Sequence, residues 1–285
     1  MKRIAEWQPT KLQRNGAGFF VRSEGVGPGS LLMALSMSEA LVPLLHELSG
    51  RIVDLGAGRV PFYEVFAPHI EEAICVDWSN SLHGLTHADV IANLDRPLPF
   101  APCSFDGAIM SSVLEHLSDP AAALGEVARI LRPGGKLVVE LPFLYWLHEE
   151  PYDFGRYTEH WLRRAAPCAG LKVDRIQPYG GVAAVSGDIA AKAVQIAADR
   201  LRGYLPAVRG RAMARLVAWI NRRGQRAVFH CFVSSARRGG VSRSAGRFPL
   251  GYVAVFSKPL PGARAETSGH PGRFFVLSKE TKNQS

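Results

Sequence analysis

Cysteine is scarce in this 285-residue sequence, and the four present do not pair in spacing. Cys75, Cys103, Cys168 and Cys231 lie far apart with no C-x-x-C among them. That excludes a disulfide framework and a zinc-ribbon pattern, and fits thiols in a reducing compartment. Long apolar runs are also missing. No stretch reaches the roughly 18 residues that a membrane-crossing helix needs. The opening Met-Lys-Arg-Ile-Ala-Glu-Trp lacks the apolar core of a secretion signal. A cytoplasmic protein is therefore expected. Acids are the third shortage: 25 Asp and Glu face 34 Lys and Arg, for a net charge of +9. The deficit is concentrated. Between Val182 and Gly240 eleven Lys and Arg meet only Asp188 and Asp199, an excess equal to that of the whole chain.

What is present is a strand, a glycine turn and a proline. Ile52, Val53 and Leu55 read as a buried strand, and Asp54 lies within it. Gly56 and Gly58 allow a sharp turn and a close backbone approach to a ligand. Pro61 suits the first turn of a following helix. Further strands are expected at 73–78, 89–93, 105–111, 136–143, 172–179 and 250–258. Between them, Asp119-Pro120 caps a helix over 121–131, which stops at Arg132-Pro133-Gly134-Gly135. Thr158 caps another helix that ends near Gly170. An earlier helix over 31–48 contains Pro43, which should break or kink it. The alternation predicts an α/β domain over 30–259 with a mostly parallel sheet. Residues 1–29 read as a poorly patterned leader, partly ordered over the ligand site, 182–240 as a basic helical insertion divided at Pro206, and 260–285 as a loose tail.

The glycine turn narrows the ligand. Asp77 ends the second strand 21 residues after Gly56, close to the roughly 20-residue offset of a ribose-binding acid. Trp78 can lie along an adenine face. The plainer alternative is that Asp77 caps a turn and Trp78 packs in the core. A dinucleotide fingerprint needs a third glycine, but Pro61 stands there. Asp54 ahead of the turn would repel a pyrophosphate. It suits a ligand with an ammonium group and no phosphates, such as the methionine part of S-adenosylmethionine.

These stretches resemble the class I S-adenosylmethionine-dependent methyltransferases, in the group called methyltransferase type 11. The likeness rests on Val-Asp-Leu-Gly-Ala-Gly (53–58), Val-Asp-Trp (76–78), Leu-Pro-Phe (98–100) and Ser-Phe-Asp (104–106). It continues through Ser-Val-Leu-Glu-His-Leu (112–117) and Glu-Val-Ala-Arg-Ile-Leu-Arg-Pro-Gly-Gly (126–135). The resemblance implies a Rossmann-like fold: a seven-stranded sheet of order 3-2-1-4-5-7-6, its last strand antiparallel. It implies S-adenosylmethionine over Asp54, Gly56, Ala57 and Gly58 at the methionine end, with Asp77 and Trp78 at the ribose and adenine. Asn93 and Leu94 would meet the adenine. Many relatives carry an acid where Asn93 stands; Asp95 or Asp89 can also fill that role. Ser112 to Leu117 should reach the sulfonium region.

Acceptor and base are less defined. His116 can serve as a base or as a structural histidine capping its loop, and the second reading is preferred. The dense stretch His148-Glu-Glu-Pro-Tyr152-Asp153-Phe-Gly-Arg156-Tyr157-Thr158 follows the fifth strand. His148 or Asp153 can take a proton from a hydroxyl acceptor, with Tyr152, Arg156 and Tyr157 positioning it. An Asp153–Arg156 ion pair bracing the loop explains the same residues. No metal is expected. The basic insertion reads as a lid or oligomerisation element, as a docking element for an anionic membrane surface, or as a nucleic-acid contact. No Asn/Asp-Pro-Pro-Tyr/Phe motif follows the fourth strand, which weighs against base methylation. The expectation is a methyltransferase for a small-molecule or glycan/lipid-linked acceptor, at oxygen, with RNA methylation or cofactor binding without catalysis as alternatives. Oligomeric state stays open.

Overall fold

The computed structural model describes residues 11–16, 18–22, 25–204, 206–234 and 244–262. The apolar runs become strands: β3 (Arg51–Leu55), β4 (Glu72–Asp77), β5 (Val90–Ile91), β6 (Phe105–Ser111), β7 (Leu131–Pro142), β8 (Lys172–Gly180) and β9 (Pro249–Ser257). They form one sheet in the order β5-β4-β3-β6-β7-β9-β8. Counted along the chain, that is 3-2-1-4-5-7-6, the order the resemblance implies. β5, β4, β3, β6 and β7 pair parallel, and β9 runs antiparallel to both β7 and β8.

Alternation along these strands divides the core into two apolar clusters. Ile52, Ile109 and Val138 belong to one; Val53, Ala108, Leu137 and Val139 belong to the other. Helix α1 (Leu31–Leu45) covers the first with Leu31, Leu41 and Leu45. Helices α3 (Pro120–Ile130) and α4 (Glu159–Cys168) cover the second with Leu124, Val127 and Leu162. Each such buried side chain contributes about 1.5–3 kcal/mol. The two expected caps form: Asp119 accepts from the Ala122 amide at 3.0 Å and Thr158 from the Trp161 amide at 3.2 Å.

Several expectations need correction. The leader contains a hairpin of β1 (Leu12–Asn15) and β2 (Gly18–Val21), and its facing Leu12 and Val21 are buried. Pro43 neither breaks nor ends α1. It lies in the last turn, where its missing N–H costs the ladder one bond. The helix after Pro61 is only the four-residue α2 (Tyr63–Phe66). β7 begins at Leu131, because Gly134 and Gly135 exchange backbone bonds with Lys258 and keep the Pro-Gly-Gly segment paired. β5 has two residues in place of five. The expected tail lies outside the described residues beyond Gly262.

The insertion is a helical hairpin, α5 (Val182–Arg202) and α6 (Ala207–Val228), with Pro206 capping the second helix. It is anchored by polar bonds as well as apolar contact. Gln225 of α6 accepts at 2.9 Å from the Leu32 amide, which has no partner inside α1 at that position. Asn221 donates to the Ala191 carbonyl at 2.8 Å. Asp188 and Lys192, counted among the insertion's charges, form a buried ion pair. Gln225→Leu should therefore cost about 1–3 kcal/mol of stability, by leaving a buried donor unpaired. Urea unfolding measures it, and an unchanged midpoint would refute this anchor.

Candidate active site

The carboxyl edges of β3, β4 and β6 converge on a cavity of about 510 Å³. Crevices at this edge are where open α/β sheets bind ligands. The first wall is the glycine turn. Its conformation is left-handed at both glycines, with φ +72° at Gly56 and +53° at Gly58. A Cβ on Gly56 would sit 2.5 Å from Val113 Cγ2, so no larger residue fits there unchanged. The amides of Gly56 and Ala57 both donate to the Val76 carbonyl, at 2.9 and 3.0 Å. The Gly58 amide donates to Asp77 Oδ2 at 2.8 Å. Asp77 also accepts from the Trp78 amide and the Ser81 hydroxyl. It therefore binds the turn itself, as the turn-capping alternative expected.

Asp54 and Asp77 lie side by side in this wall, and both are buried. Burial, reinforced by the Asp77 charge, pushes the Asp54 carboxyl up to about 7. A buried acid held in this way favours a cation as its partner. Trp78 stands edge-on to Tyr152, with ring centroids 4.8 Å apart, and both rings line the cavity. Asn93 and Leu94 line it too. The Asn93 side-chain oxygen accepts from the Asp95 amide, while Asp95 caps the amides of Ser118 and Asp119. Asp89 accepts from the Cys75 amide and is absent from the cavity wall. Of the three candidates for the adenine, Asn93 and Asp95 reach the cavity.

Ser112 and His116 complete the inner side. Ser111 and Ser112 both donate to Glu140 Oε2 at 3.0 Å, and Tyr179 donates to Oε1 at 2.6 Å. Burial and the nearby Glu115 raise the Glu140 carboxyl above its ordinary range. Sequence reading passed over Glu140 and Tyr179. The available signal was an acid inside the apolar run Leu-Val-Val-Glu-Leu. It also passed over Lys11 and Arg22, which the hairpin brings to the cavity, and over His83. His83 Nε2 lies 3.0 Å from Glu149 Oε1, joining the loop after β4 to the loop after β7.

His148, Asp153, Arg156 and Tyr157 do not line the cavity. Asp153 accepts from the His148 amide at 2.9 Å and from Arg156 at 2.5 and 2.8 Å. Burial would raise its carboxyl, but Arg156 and the His148 amide outweigh that and hold it at about 2. Of the two readings offered for Asp153 and Arg156, the geometry has the ion pair that braces the loop. Tyr157 packs against Trp161 at 4.3 Å between ring centroids, so it supports the loop from beneath. The amides of Phe154 and Gly155 both donate to the Glu115 carbonyl, which pins this loop to the one after β6. His116 Nδ1 lies 2.8 Å from the Tyr152 carbonyl and ties the two loops again.

Residues 53–139 match the family described as a methyltransferase domain. A demethylmenaquinone methyltransferase of Renibacterium salmoninarum is 34% identical over 122 residues, which are 41% of this chain and 50% of that one. An uncharacterized 37.1 kDa protein in transposon TN4556 of Streptomyces fradiae is 51% identical over 118 residues, 41% of this chain and 28% of that one. An O-methyltransferase of Aspergillus nomiae is 49% identical over 62 residues, 22% of this chain and 28% of that one. The chain spans half or less of the length of these curated relatives. A solved S-adenosylmethionine-dependent methyltransferase from Archaeoglobus fulgidus is 15% identical, covers 76% of this chain and 89% of its own, and gives a TM-score of 0.45.

The family implies S-adenosylmethionine, and the cavity's chemistry fits it. A cation-seeking Asp54 stands beside a turn that only glycine can make, and Asp77 lies at the adjoining strand end. Gly56→Ala should lose about 2 kcal/mol of stability from the strained φ and the Val113 contact. Adding Val113→Ala should restore part of it. Thermal melts of the three proteins check this, and a Gly56→Ala variant melting like the parent would refute the close approach.

Proposed function

We propose, from the premise that residues 53–139 are a class I S-adenosylmethionine-dependent methyltransferase domain, that this protein methylates a small-molecule or glycan/lipid-linked acceptor at oxygen. The single observation that carries the donor part of the reading is Asp54: a buried carboxyl beside Asp77 in the wall of the cavity, which burial and Asp77 push up to about 7. Such a group disfavours a phosphate and favours the ammonium of a methionine moiety. Curated relatives named for methylation of demethylmenaquinone, and as O-methyltransferases, support a small-molecule acceptor.

S-adenosylmethionine supplies a methyl group already activated on sulfur. The chain's residues have to bind and align. Asp54 and the turn hold the amino-acid end. Asp77 keeps its bonds to the Gly58 and Trp78 amides and takes the ribose hydroxyls in place of Ser81. Asn93 and Leu94 meet the adenine, and Trp78 flanks it. Ser112, His116 and Tyr152 face the side from which an acceptor enters. Holding donor and acceptor in line at about 3–3.5 Å supplies most of the acceleration, so no dedicated base is required.

The helical hairpin supports a membrane-surface role in acceptor delivery. Ile189, Leu216, Trp219, Ile220 and Phe232 are each more than half exposed there, and the Arg223 guanidinium lies over the Trp219 ring at 4.1 Å. Among the described residues no helix is long and apolar enough to cross a membrane. Exposed apolar side chains interleaved with arginines fit an anionic interface.

The affinity for S-adenosylmethionine should rise with pH through about 7. A cationic ligand needs Asp54 ionised, so below that pH binding must expel its proton, costing up to about tenfold per pH unit. Methylthioadenosine, without the ammonium, should show no such slope, and Asp54→Asn should remove it while weakening binding at least about tenfold. Calorimetry from pH 6 to 8 measures all three, and no binding at millimolar ligand would sink the reading. Labelled donor incubated with fractionated extract should mark lipid, glycan or small molecules. Label confined to RNA would replace the acceptor class, and label nowhere would favour cofactor binding without transfer. Co-sedimentation with anionic vesicles should fall in Trp219→Ser. No pull-down at low salt would remove the membrane role.

A further inference from the structure

At the edge of the cavity the two pinned loops bring together Glu115, His116 and His148. Glu115 is fully buried, and neither of its carboxylate oxygens has a hydrogen-bond partner. His116 Nε2 is buried and likewise without one. The nearest neighbours of Glu115 Oε1 are His148 Nε2 at 3.6 Å and His116 Nε2 at 3.7 Å, beyond hydrogen-bond reach. The two imidazole rings stand 4.9 Å apart at 71°.

The opposite ring nitrogens settle the tautomers. The Tyr152 carbonyl can only accept, so His116 Nδ1 carries its hydrogen toward it. His148 Nδ1 lies 3.3 Å from Asp153 Oδ2, an oxygen of the carboxylate that Arg156 pairs with and an acceptor. Arg156 comes within 3.4 Å of the same nitrogen, but its hydrogens are directed at Asp153 Oδ2 and the Trp146 carbonyl, at 2.8 and 2.9 Å. In its neutral form each ring therefore presents a bare Nε2 to Glu115, and three lone-pair donors face one another.

Such a set is unfavourable unless a positive charge lies between its members, since buried carboxylates are paired or coordinate metals. We propose that Glu115 Oε, His116 Nε2 and His148 Nε2 bind one first-row divalent transition cation, zinc-like in its preferences. These donor atoms all lie within 4.8 Å of one another. Ligands about 2.1 Å from such an ion at tetrahedral angles stand about 3.4 Å apart, so the two Glu115–imidazole spacings need shifts of a few tenths of an ångström, while the two Nε2 atoms, within 4.8 Å of each other, close by up to about 1.4 Å. Two imidazoles and one carboxylate select transition ions over calcium and magnesium. The Nδ1 partners, a backbone carbonyl and a carboxylate, are those that orient metal-bound histidines. Three protein ligands leave one position for water. Because His116 also lines the cavity, the ion would border the space where an acceptor enters. The ligands are one adjacent pair and a residue 32 positions further on, a pattern without a sequence signature.

The test uses the full chain stripped with a chelator and titrated with zinc, cobalt and manganese chlorides. The expected result is one ion per chain by calorimetry and elemental analysis, with cobalt giving visible d–d absorption. Glu115→Gln and His148→Gln should each weaken zinc at least about 100-fold. His160→Ala, an exposed histidine on α4, should leave affinity unchanged. S-adenosylhomocysteine binding by each variant separates loss of metal from loss of fold. It also separates failure of this site from failure of the methyltransferase reading, because metal binding needs no activity. The cobalt spectrum of the parent protein stands even if the variants do not fold. Absence of stoichiometric binding by all three ions would overturn the proposal in favour of an imidazolium–carboxylate pair. Zinc that binds equally to parent and variants would overturn it as well.

Discussion

The bond from the Gly58 amide to the Asp77 carboxylate is the constraint on which the site depends. Two strands that are neighbours in the sheet end there, and this bond with the pair of amides on Val76 locks the turn of one to the tip of the other. The cavity is thus shaped before anything enters it. Burial, with the same carboxylate adding to it, keeps Asp54 in its raised, cation-seeking state. One acid thereby fixes the shape of the wall and adds to its electrostatic preference.

Negative charge is unevenly placed in this basic protein. Asp54, Asp77, Glu115 and Glu140 are all buried around the carboxyl edge of the sheet. Each has a different settlement. Asp77 accepts amide hydrogens, Glu140 accepts hydroxyl hydrogens from two serines and a tyrosine, Asp54 faces the cavity, and Glu115 faces two imidazoles. The first two are satisfied internally. Of the last two, Asp54 lines the cavity and Glu115 lies outside its wall next to His116, with both oxygens unbonded.

The fold was largely legible because strand alternation, glycine turns and caps are local signals. Phe105–Ser111 and the caps at Asp119 and Thr158 need no tertiary information. The first wall of the cavity was legible for the same reason: Asp54, the glycines and Asp77 sit at fixed offsets along neighbouring strands. The loop after β7 was not. Its residue types suggested catalysis, but only three-dimensional packing decides that Asp153 and Arg156 satisfy each other while Tyr157 props the turn. The hairpin of residues 12–21 was missed because a four-residue strand shows too little alternation to stand out. The buried Asp188–Lys192 pair was counted with the insertion's other charges, since sequence alone does not show which side of a helix faces α1 and the aromatic pair Tyr145 and Trp146.

The position of β9 has a consequence for how the chain comes off the ribosome. It fills the slot between β7 and β8, yet it is the last strand of the sheet, and residues 181–248 separate it from β8. Until Pro249–Ser257 emerges, β7 and β8 each present an unpaired edge with its backbone groups open to pairing with another chain. The helical hairpin is synthesised during that interval and packs on α1 beside the gap. A ribosome-bound or C-terminally shortened chain is therefore the aggregation-prone form of this protein, and completion of the sheet is a late, non-local event.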